Sequence, residues 1–454
     1  MSSRKILIVS YLFPPAGGIA VQRALSLAKY LPDHKFEVHI LQARNAAVPV
    51  SDPDLLRQVP SCVLRHSAFT PEIPFILRQK LWSRFSSGGP DTKDSSRRPS
   101  PLKTVLKSAV RRLLCPEPEI LWVPFALRVA RRIIRRHHID AVLVTVPPFS
   151  ALLVGNALKQ EFPHLKLIAD FRDEWLSFYL KDFEFQNNDH TRRVAERIEQ
   201  ETVSRSDLVV AVAESSRRTI RSRYPDQPDS KFLLIGNGYD PDMFAGFRSR
   251  PHGGSQMLVT HMGTAYKTAS PRFYLDALDT MPDQIRSAIT TRFIGRISEA
   301  ERAVLENRRS SIEITGFMPQ AEALNRVEET DYLLVTMTNE ISLPGKLYEY
   351  LATCKPILAI TPKNSEVSRI LQKTGAGWCA EPGDPIGIQS MIERAFHRFR
   401  TNTNCLHTDS EKIKKYERPY LTAEYARAIH GLFDLDQHTL SSAMADRAMQ
   451  HHIA

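Results

Sequence analysis

The chain has 454 residues, 42% hydrophobic and 24% charged, the balance of a globular protein long enough for two or three domains with sizeable cores. Its net charge of +11 is concentrated: between Arg97 and His138 eleven Lys/Arg stand against two acids, Glu117 and Glu119, and the remainder is nearly neutral. That distribution argues against a nucleic-acid binder with basic charge spread along a face and implies one local basic surface.

In chain order, residues 5–12 read as a strand, Pro14-Pro15-Ala16-Gly17-Gly18 as a glycine loop and 20–31 as a helix, followed at βαβ spacing by the apolar run 36–41. Residues 86–101, rich in Ser, Gly, Pro, Asp and Arg, read as a mobile loop. A helix at 125–137, a strand at 141–146, a helix at 150–160, a strand at 166–170, a polar helix at 189–206 and a strand at 208–212 continue the alternation. Gly236-Asn237-Gly238-Tyr239-Asp240 and then 249–255 read as a linker, after which the pattern restarts. Strands at 257–262, 291–294, 312–315, 332–335 and 356–360 alternate with helices at 271–279, 320–329 and 346–353. Strand–helix alternation means a parallel sheet covered on both faces, so the expectation is an α/β protein of two doubly wound, Rossmann-like domains. They are placed at 1–245 and 246–410, with a helix at 411–435 and a loose polar tail at 436–454.

The most informative string is Leu343-Pro344-Gly345-Lys346-Leu347-Tyr348-Glu349-Tyr350-Leu351-Ala352. A Pro-Gly turn opens a helix whose first N–H groups lack partners and form a seat for phosphate, and Glu349 one turn on can accept hydrogen bonds from a ribose. Pro-Gly before a helix is also an ordinary turn. Gly17-Gly18 brings backbone close to a ligand or is a tight turn; it is not the dinucleotide fingerprint, and no acid closes the second strand. Asp170-Phe171-Arg172-Asp173-Glu174-Trp175 ends a strand, where functional groups of open sheets gather; its charges position an acceptor hydroxyl or a metal, or form an ion pair and a helix cap. Lys267, after Gly263, and Arg296 can neutralise a diphosphate, or are solvated surface.

Lys103, Lys107 and Arg111, with Arg112 beside them, follow a helical spacing opposite Leu102, Leu106, Ala109 and Leu113; Arg128, Arg131, Arg132, Arg135 and Arg136 repeat it beside Val129, Ile133 and Ile134. Such helices lie on anionic lipid or pack normally with their charge in water. The second must cover the sheet, which leaves the first for membrane contact. Five scattered cysteines without a CxxC pair argue against a disulfide scaffold and a structural zinc site and fit a reducing cytosol. No run reaches the roughly 18 apolar residues of a membrane span, and Ile6–Val9 after Lys5 is too short for a signal peptide. The expected location is cytoplasmic, with peripheral contact at the inner face of the membrane.

The strings at Pro14–Gly18, Asp170–Trp175, Asn237-Gly238 and Leu343–Ala352 together resemble the GT4-like group of GT-B glycosyltransferases over nearly the whole chain. The resemblance implies two domains facing across a cleft, with the acceptor on the first and a nucleoside diphosphate sugar on the second. It implies donor contacts from Gly17, Gly18, Gly263, Lys267, Arg296, Glu340, Ser342, Leu343, Pro344, Gly345, Lys346 and Glu349. Acceptor-side candidates are Asp170, Arg172 and Asp173, and the last helix is implied to cross back to the first domain. No metal and no cofactor are implied, and the anomeric configuration is retained. The first of the family's two glutamates falls on Ile341, so that either Glu340 shifts into place or Ser342 and backbone hold the sugar, and Gly236 replaces the usual proline of the linker. The expected activity is sugar transfer to a lipid-linked or cell-envelope glycan acceptor. The rivals are a catalytically silent nucleotide-sugar-binding subunit and a nucleotide-sugar 2-epimerase.

Overall fold

The computed structural model describes residues 3–46, 51–71, 112, 114–180, 188–249, 254–340, 343–403, 406 and 408–451, with side chains as far as 434 except at 178 and 179. The expected loop at 86–101, the basic residues Lys103, Lys107 and Arg111, and Ser342 lie outside them. The chain divides into two units, Met1–Ile235 with Thr422–Ala454, and Gly236–Leu421.

In the first unit, β1 (Arg4–Ser10), β2 (Phe36–Ala43), β3 (Leu64–Ala68), β4 (Ala141–Val146), β5 (Lys166–Phe171), β6 (Leu208–Ala211) and β7 (Phe232–Leu234) form a parallel sheet in the order β3-β2-β1-β4-β5-β6-β7. The helices α1 (Ile19–Tyr30), α2 (Val123–His137), α3 (Leu152–Glu161), α4 (Asp189–Arg205) and α5 (Glu214–Arg223) cover it. A central strand such as β4, Ala-Val-Leu-Val-Thr-Val, is buried throughout, because helices on both faces remove its alternate side chains from water alike.

The second unit repeats the plan with β8 (Met257–Met262), β9 (Ile289–Ile294), β10 (Ser311–Gly316), β11 (Tyr332–Thr336), β12 (Ile357–Ile360) and β13 (Gly377–Ala380), all parallel, in the order β10-β9-β8-β11-β12-β13. Its main helices are α6 (Arg272–Asp279), α7 (Glu299–Leu305), α8 (Gln320–Glu328), α9 (Lys346–Thr353), α10 (Glu366–Thr374) and α11 (Pro385–Arg400). The division falls ten residues before the expected boundary because Tyr239 is built into the second unit: its N–H donates to Tyr416 O at 3.0 Å, and its carbonyl accepts from Arg418 N at 2.8 Å. Gly238 is required there, since a Cβ would meet Tyr416 O at 2.1 Å.

The last helix, α12 (Arg418–His451), leaves the second unit and joins the first from Thr422. It runs through residues 436–451, where the sequence reads as a loose tail; no Gly or Pro interrupts that stretch. It is fixed by a buried charge. Arg23 from α1 donates through Nε to both oxygens of Asp170, at 3.0 and 2.9 Å, and through Nη2 to Oδ1 at 2.9 Å and to Ile235 O at 2.8 Å. Tyr425 of α12 donates its hydroxyl to Asp170 Oδ1 at 2.6 Å and accepts from Arg23. Burial opposes the Arg23 charge, but Asp170 and Tyr425 outweigh it and hold the guanidinium above its ordinary value. Further along, His430 stacks on Phe36 at 4.5 Å, and Arg4 lies 4.4 Å from the Phe433 ring centre.

A buried charge stripped of its partner costs far more than a lost neutral hydrogen bond. Asp170→Asn should therefore destabilise the first unit by about 3–5 kcal/mol, and Tyr425→Phe by about 1.5–3 kcal/mol. Urea unfolding followed by tryptophan fluorescence measures both, and equal effects would contradict this ranking.

Candidate functional site

The second sheet reverses its strand order between β8 and β11, and ligands of open α/β sheets sit at the carboxyl ends of strands at such a point. Three neighbouring strands there end in glycine. Gly263 follows β8 with φ +122°, Gly295 follows β9 with φ +128°, and Gly316 closes β10 with φ +76°. The Gly263 N–H donates to Ile294 O at 2.7 Å and the Gly295 N–H to Gly316 O at 2.8 Å, so the ladder continues past the strands. A Cβ on Gly295 would meet Gly263 O at 2.5 Å, which makes Gly295 obligatory by space as well as by conformation.

Lys346, the first residue of α9, reaches this floor. Its Nζ lies 2.8 Å from Nε2 of the fully buried His261 of β8. A Cβ on Gly263 would begin 3.6 Å from that Nζ, so glycine keeps the approach clear. Tyr350 lies one turn on, on the same helix face; its hydroxyl accepts the Met262 N–H at 2.7 Å and pins α9 to the end of β8. Lys346 keeps some accessible surface, yet burial among protein atoms pulls its ammonium down to about 7, only partly offset by Glu349. His261 is held well below its ordinary value, first by burial and then by Lys346. An ammonium can only donate, so Nε2 of His261 offers its lone pair.

Glu349 faces α8, where Gln320 Nε2 donates to its Oε1 at 2.9 Å. Burial pushes its carboxyl up, opposed by Arg418, the Gln320 hydrogen bond and Lys346. Leu343, Pro344 and Gly345 lead into the helix half-buried, and no side chain caps it. The sequence singled out Lys346 as one letter of a motif; its contact with His261 across 85 residues has no local signature. Lys267 is exposed in a short turn, Arg296 is exposed with its guanidinium 5.1 Å from the Phe317 ring centre, and Glu340 is exposed.

In the first unit, Gly17 is half-buried, and Gly18, with φ +88°, begins α1 with no side-chain cap. The acceptor-side string divides its duties. Asp170 is fully buried and engaged by Arg23 and Tyr425. Arg172 donates to the carbonyls of Ala20 and Pro147 and, at 3.2 Å, of Val146; it ties together the chain after β1, β4 and β5, where this sheet also reverses. These are the positioning duties that an ion pair implies. Asp173 is half-buried; burial pushes its carboxyl up and Arg172 opposes the shift. Glu174, not singled out from sequence, pairs with Arg223 at 2.6 Å, and Arg223 also holds Glu199 at 2.8 Å. On α2, Arg131 and Arg135 hold Glu161 at 2.6 and 2.8 Å, whereas Arg128, Arg132 and Arg136 are exposed, as is Arg112.

Two parallel α/β units with these strand orders define the GT-B fold, and comparison with known proteins agrees. The chain is similar to sucrose-phosphate synthase from Thermosynechococcus elongatus, with TM-score 0.65, 13% identity and coverage of 95% of this chain and 100% of that one. It is also similar to Anabaena Alr3699/HepE in complex with UDP and glucose, with TM-score 0.60, 15% identity and coverage of 94% and 99%. Residues 89–243 match the model of Glycosyltransferase Family 4. A stretch of 100 residues is 32% identical to the probable glycosyltransferase WbjE of Pseudomonas aeruginosa; it covers 21% of this chain and 25% of that relative's length. The chain thus has the GT-B fold, and it carries, mostly within its first unit, a segment that matches Glycosyltransferase Family 4.

The glycine floor makes a graded prediction. Gly316→Ala meets no atom within 4 Å and carries backbone strain alone, about 1–3 kcal/mol. Gly295→Ala adds a collision with backbone. Thermal unfolding should therefore show the larger loss for Gly295→Ala, and the reverse order would contradict the close approach of β8 and β9.

Proposed function

We propose that this chain is a glycosyltransferase that moves a sugar from a nucleoside diphosphate sugar to a lipid-linked or cell-envelope glycan acceptor. The observation that carries the reading is Lys346: a half-buried ammonium, depressed to about 7, beside a neutral imidazole at the glycine-lined end of β8. Such a group gains most from an arriving polyanion, because the diphosphate supplies the opposite charge that burial denies it. The uncapped start of α9 supports a phosphate seat, and in this reading Glu349, one turn on, accepts from ribose hydroxyls. The complex of the similar HepE with UDP and glucose supports this class of donor.

The acceptor hydroxyl attacks the anomeric carbon, the bond from that carbon to the phosphate oxygen breaks, and the acceptor proton passes to the leaving diphosphate, with retention of configuration. Positive charge at Lys346, aided by Lys267 and Arg296, stabilises the negative charge that develops on the leaving group. Gly263 and Pro344–Gly345 shape the phosphate seat, and Glu340, Ser342 and Leu343 are assigned to the sugar side. In the first unit, Gly17 and Gly18 free amides at the start of α1, and Asp173 is the acceptor-side carboxylate; no metal or cofactor enters the scheme. The exposed arginines of α2 support an anionic acceptor or membrane surface.

The sign of the pH effect follows from Lys346. Its value is about 7 without ligand and rises toward the ordinary lysine range when a diphosphate binds. Between those values binding must take up a proton, and apparent affinity falls as pH rises. Calorimetry with UDP at pH 8, in buffers of different ionisation enthalpy, should show uptake of nearly one proton, fading below pH 6. Lys346→Met should abolish the uptake and weaken binding about 10–100-fold. Unchanged uptake in the variant would refute the assignment.

Transfer is tested with UDP-, GDP- and dTDP-sugars against a native lipid extract. Glu349→Ala should lower turnover at least tenfold, the loss of about one charged hydrogen bond. Turnover equal to that of the unaltered chain would remove Glu349 from the donor site.

A further inference from the structure

At the edge of the first sheet, three histidines from three elements meet. His39 lies in the middle of β2 and is fully buried. His66 lies on β3, where the register pairs Leu41 with His66 and His39 with Leu64, so both histidines point to one face. That face is covered by α2, whose last turn carries His137. Nδ1 of His39 is 3.1 Å from Nε2 of His66, and the rings of His39 and His137 are centred 4.5 Å apart. One ligand nitrogen from each of the three lies within 4.8 Å of the other two. Glu37 accepts from Nε2 of His39 at 3.0 Å and lies 3.4 Å from Lys5.

We infer that His39, His66 and His137 bind one divalent transition-metal ion of the zinc class, which clips β2, β3 and α2 together. Three imidazoles suit zinc and its neighbours, not magnesium or calcium, which select oxygen. Zinc–nitrogen bonds of 2.0–2.1 Å in a tetrahedron set neighbouring nitrogens about 3.4 Å apart. The pair at 3.1 Å already has that spacing, and the third nitrogen closes by a side-chain rotation. The carboxylate fixes the tautomer: Glu37 takes the Nε2 proton of His39, so its Nδ1 lone pair faces His66, and an oriented imidazole backed by a carboxylate is the usual second layer of such sites. Without metal, His66 must donate a proton from Nε2 into that lone pair. On metal binding His66 shifts this single proton from Nε2 to Nδ1 by tautomerisation, which frees the Nε2 lone pair for the ion without change of protonation.

The three ligands come from two strands and a helix, so no spacing within one segment announces them. The site contains none of the proposed donor or acceptor residues, so its failure and theirs are separable.

The test uses the full chain without a polyhistidine tag, stripped with a chelator and dialysed with zinc or cobalt. Elemental analysis should find one ion per chain, cobalt should show the strong visible absorption of a tetrahedral site, and zinc should raise the unfolding temperature. His66→Gln and His137→Gln, both only half-buried in the unaltered chain, should each abolish stoichiometric retention while keeping the circular dichroism of the fold. Glu37→Gln should weaken binding about 10–100-fold. Substoichiometric metal in the unaltered chain, or equal retention in the two histidine variants, would overturn the inference.

Discussion

In a parallel sheet every strand delivers the chain to the same edge, and both units are built on that constraint. Where the strand order reverses, loops diverge and leave room that side chains must either fill or frame. The second unit frames it: backbone hydrogen bonds from Gly263 to Ile294 and from Gly295 to Gly316 carry the ladder past β8 and β9, and Lys346 enters over them. The first unit fills it: Arg172 spends its guanidinium on three carbonyls, one from the first turn of α1 and two from the end of β4 and the residue after it. The same architectural position therefore yields an open floor in one unit and a braced corner in the other.

The treatment of buried charge separates structure from chemistry. Arg23 is met by a bidentate carboxylate and a phenol, and Arg223 by two glutamates, so each charge is satisfied inside the fold. Lys346 is met by an imidazole held neutral, and Glu349, the carboxylate that partly offsets its burial, is already engaged by Gln320. A desolvated cation so provided for has its favourable partner still to come. This difference, more than the motif letters, makes Lys346 the centre of the donor reading, whereas the Asp170 charge is met by Arg23 and Tyr425 within the first unit.

The central strands were legible because both of their faces are buried, which leaves continuous apolar runs such as Ile6–Val9 and Val142–Val144. The edge strands of the first sheet were not. β3 reads Leu-Arg-His-Ser-Ala and β7 has three residues, and each is a strand only because a neighbour offers its hydrogen bonds. The Leu343–Ala352 string was legible as the start of a helix because Gly345, Lys346 and Glu349 lie within a turn of one another, whereas its contacts with His261 and Gln320 come from other elements. Pairings such as Arg23 with Asp170, 147 residues apart, or His39 with His66, 27 apart, are made by topology and leave no spacing to read.

The assignment of α12 to the first unit has a consequence for biosynthesis. Arg23 and Asp170 leave the ribosome before any of the second unit, and Tyr425 leaves after all of it. During elongation the first unit holds its buried ion pair with one hydrogen bond unmade and the face around Phe36 uncovered. Domains commonly fold in order as they emerge, but here the first unit is completed second. A fragment ending at Ile235 would lack α12 and its hydrogen bond to Asp170, so the first unit is complete only once the last helix has been made.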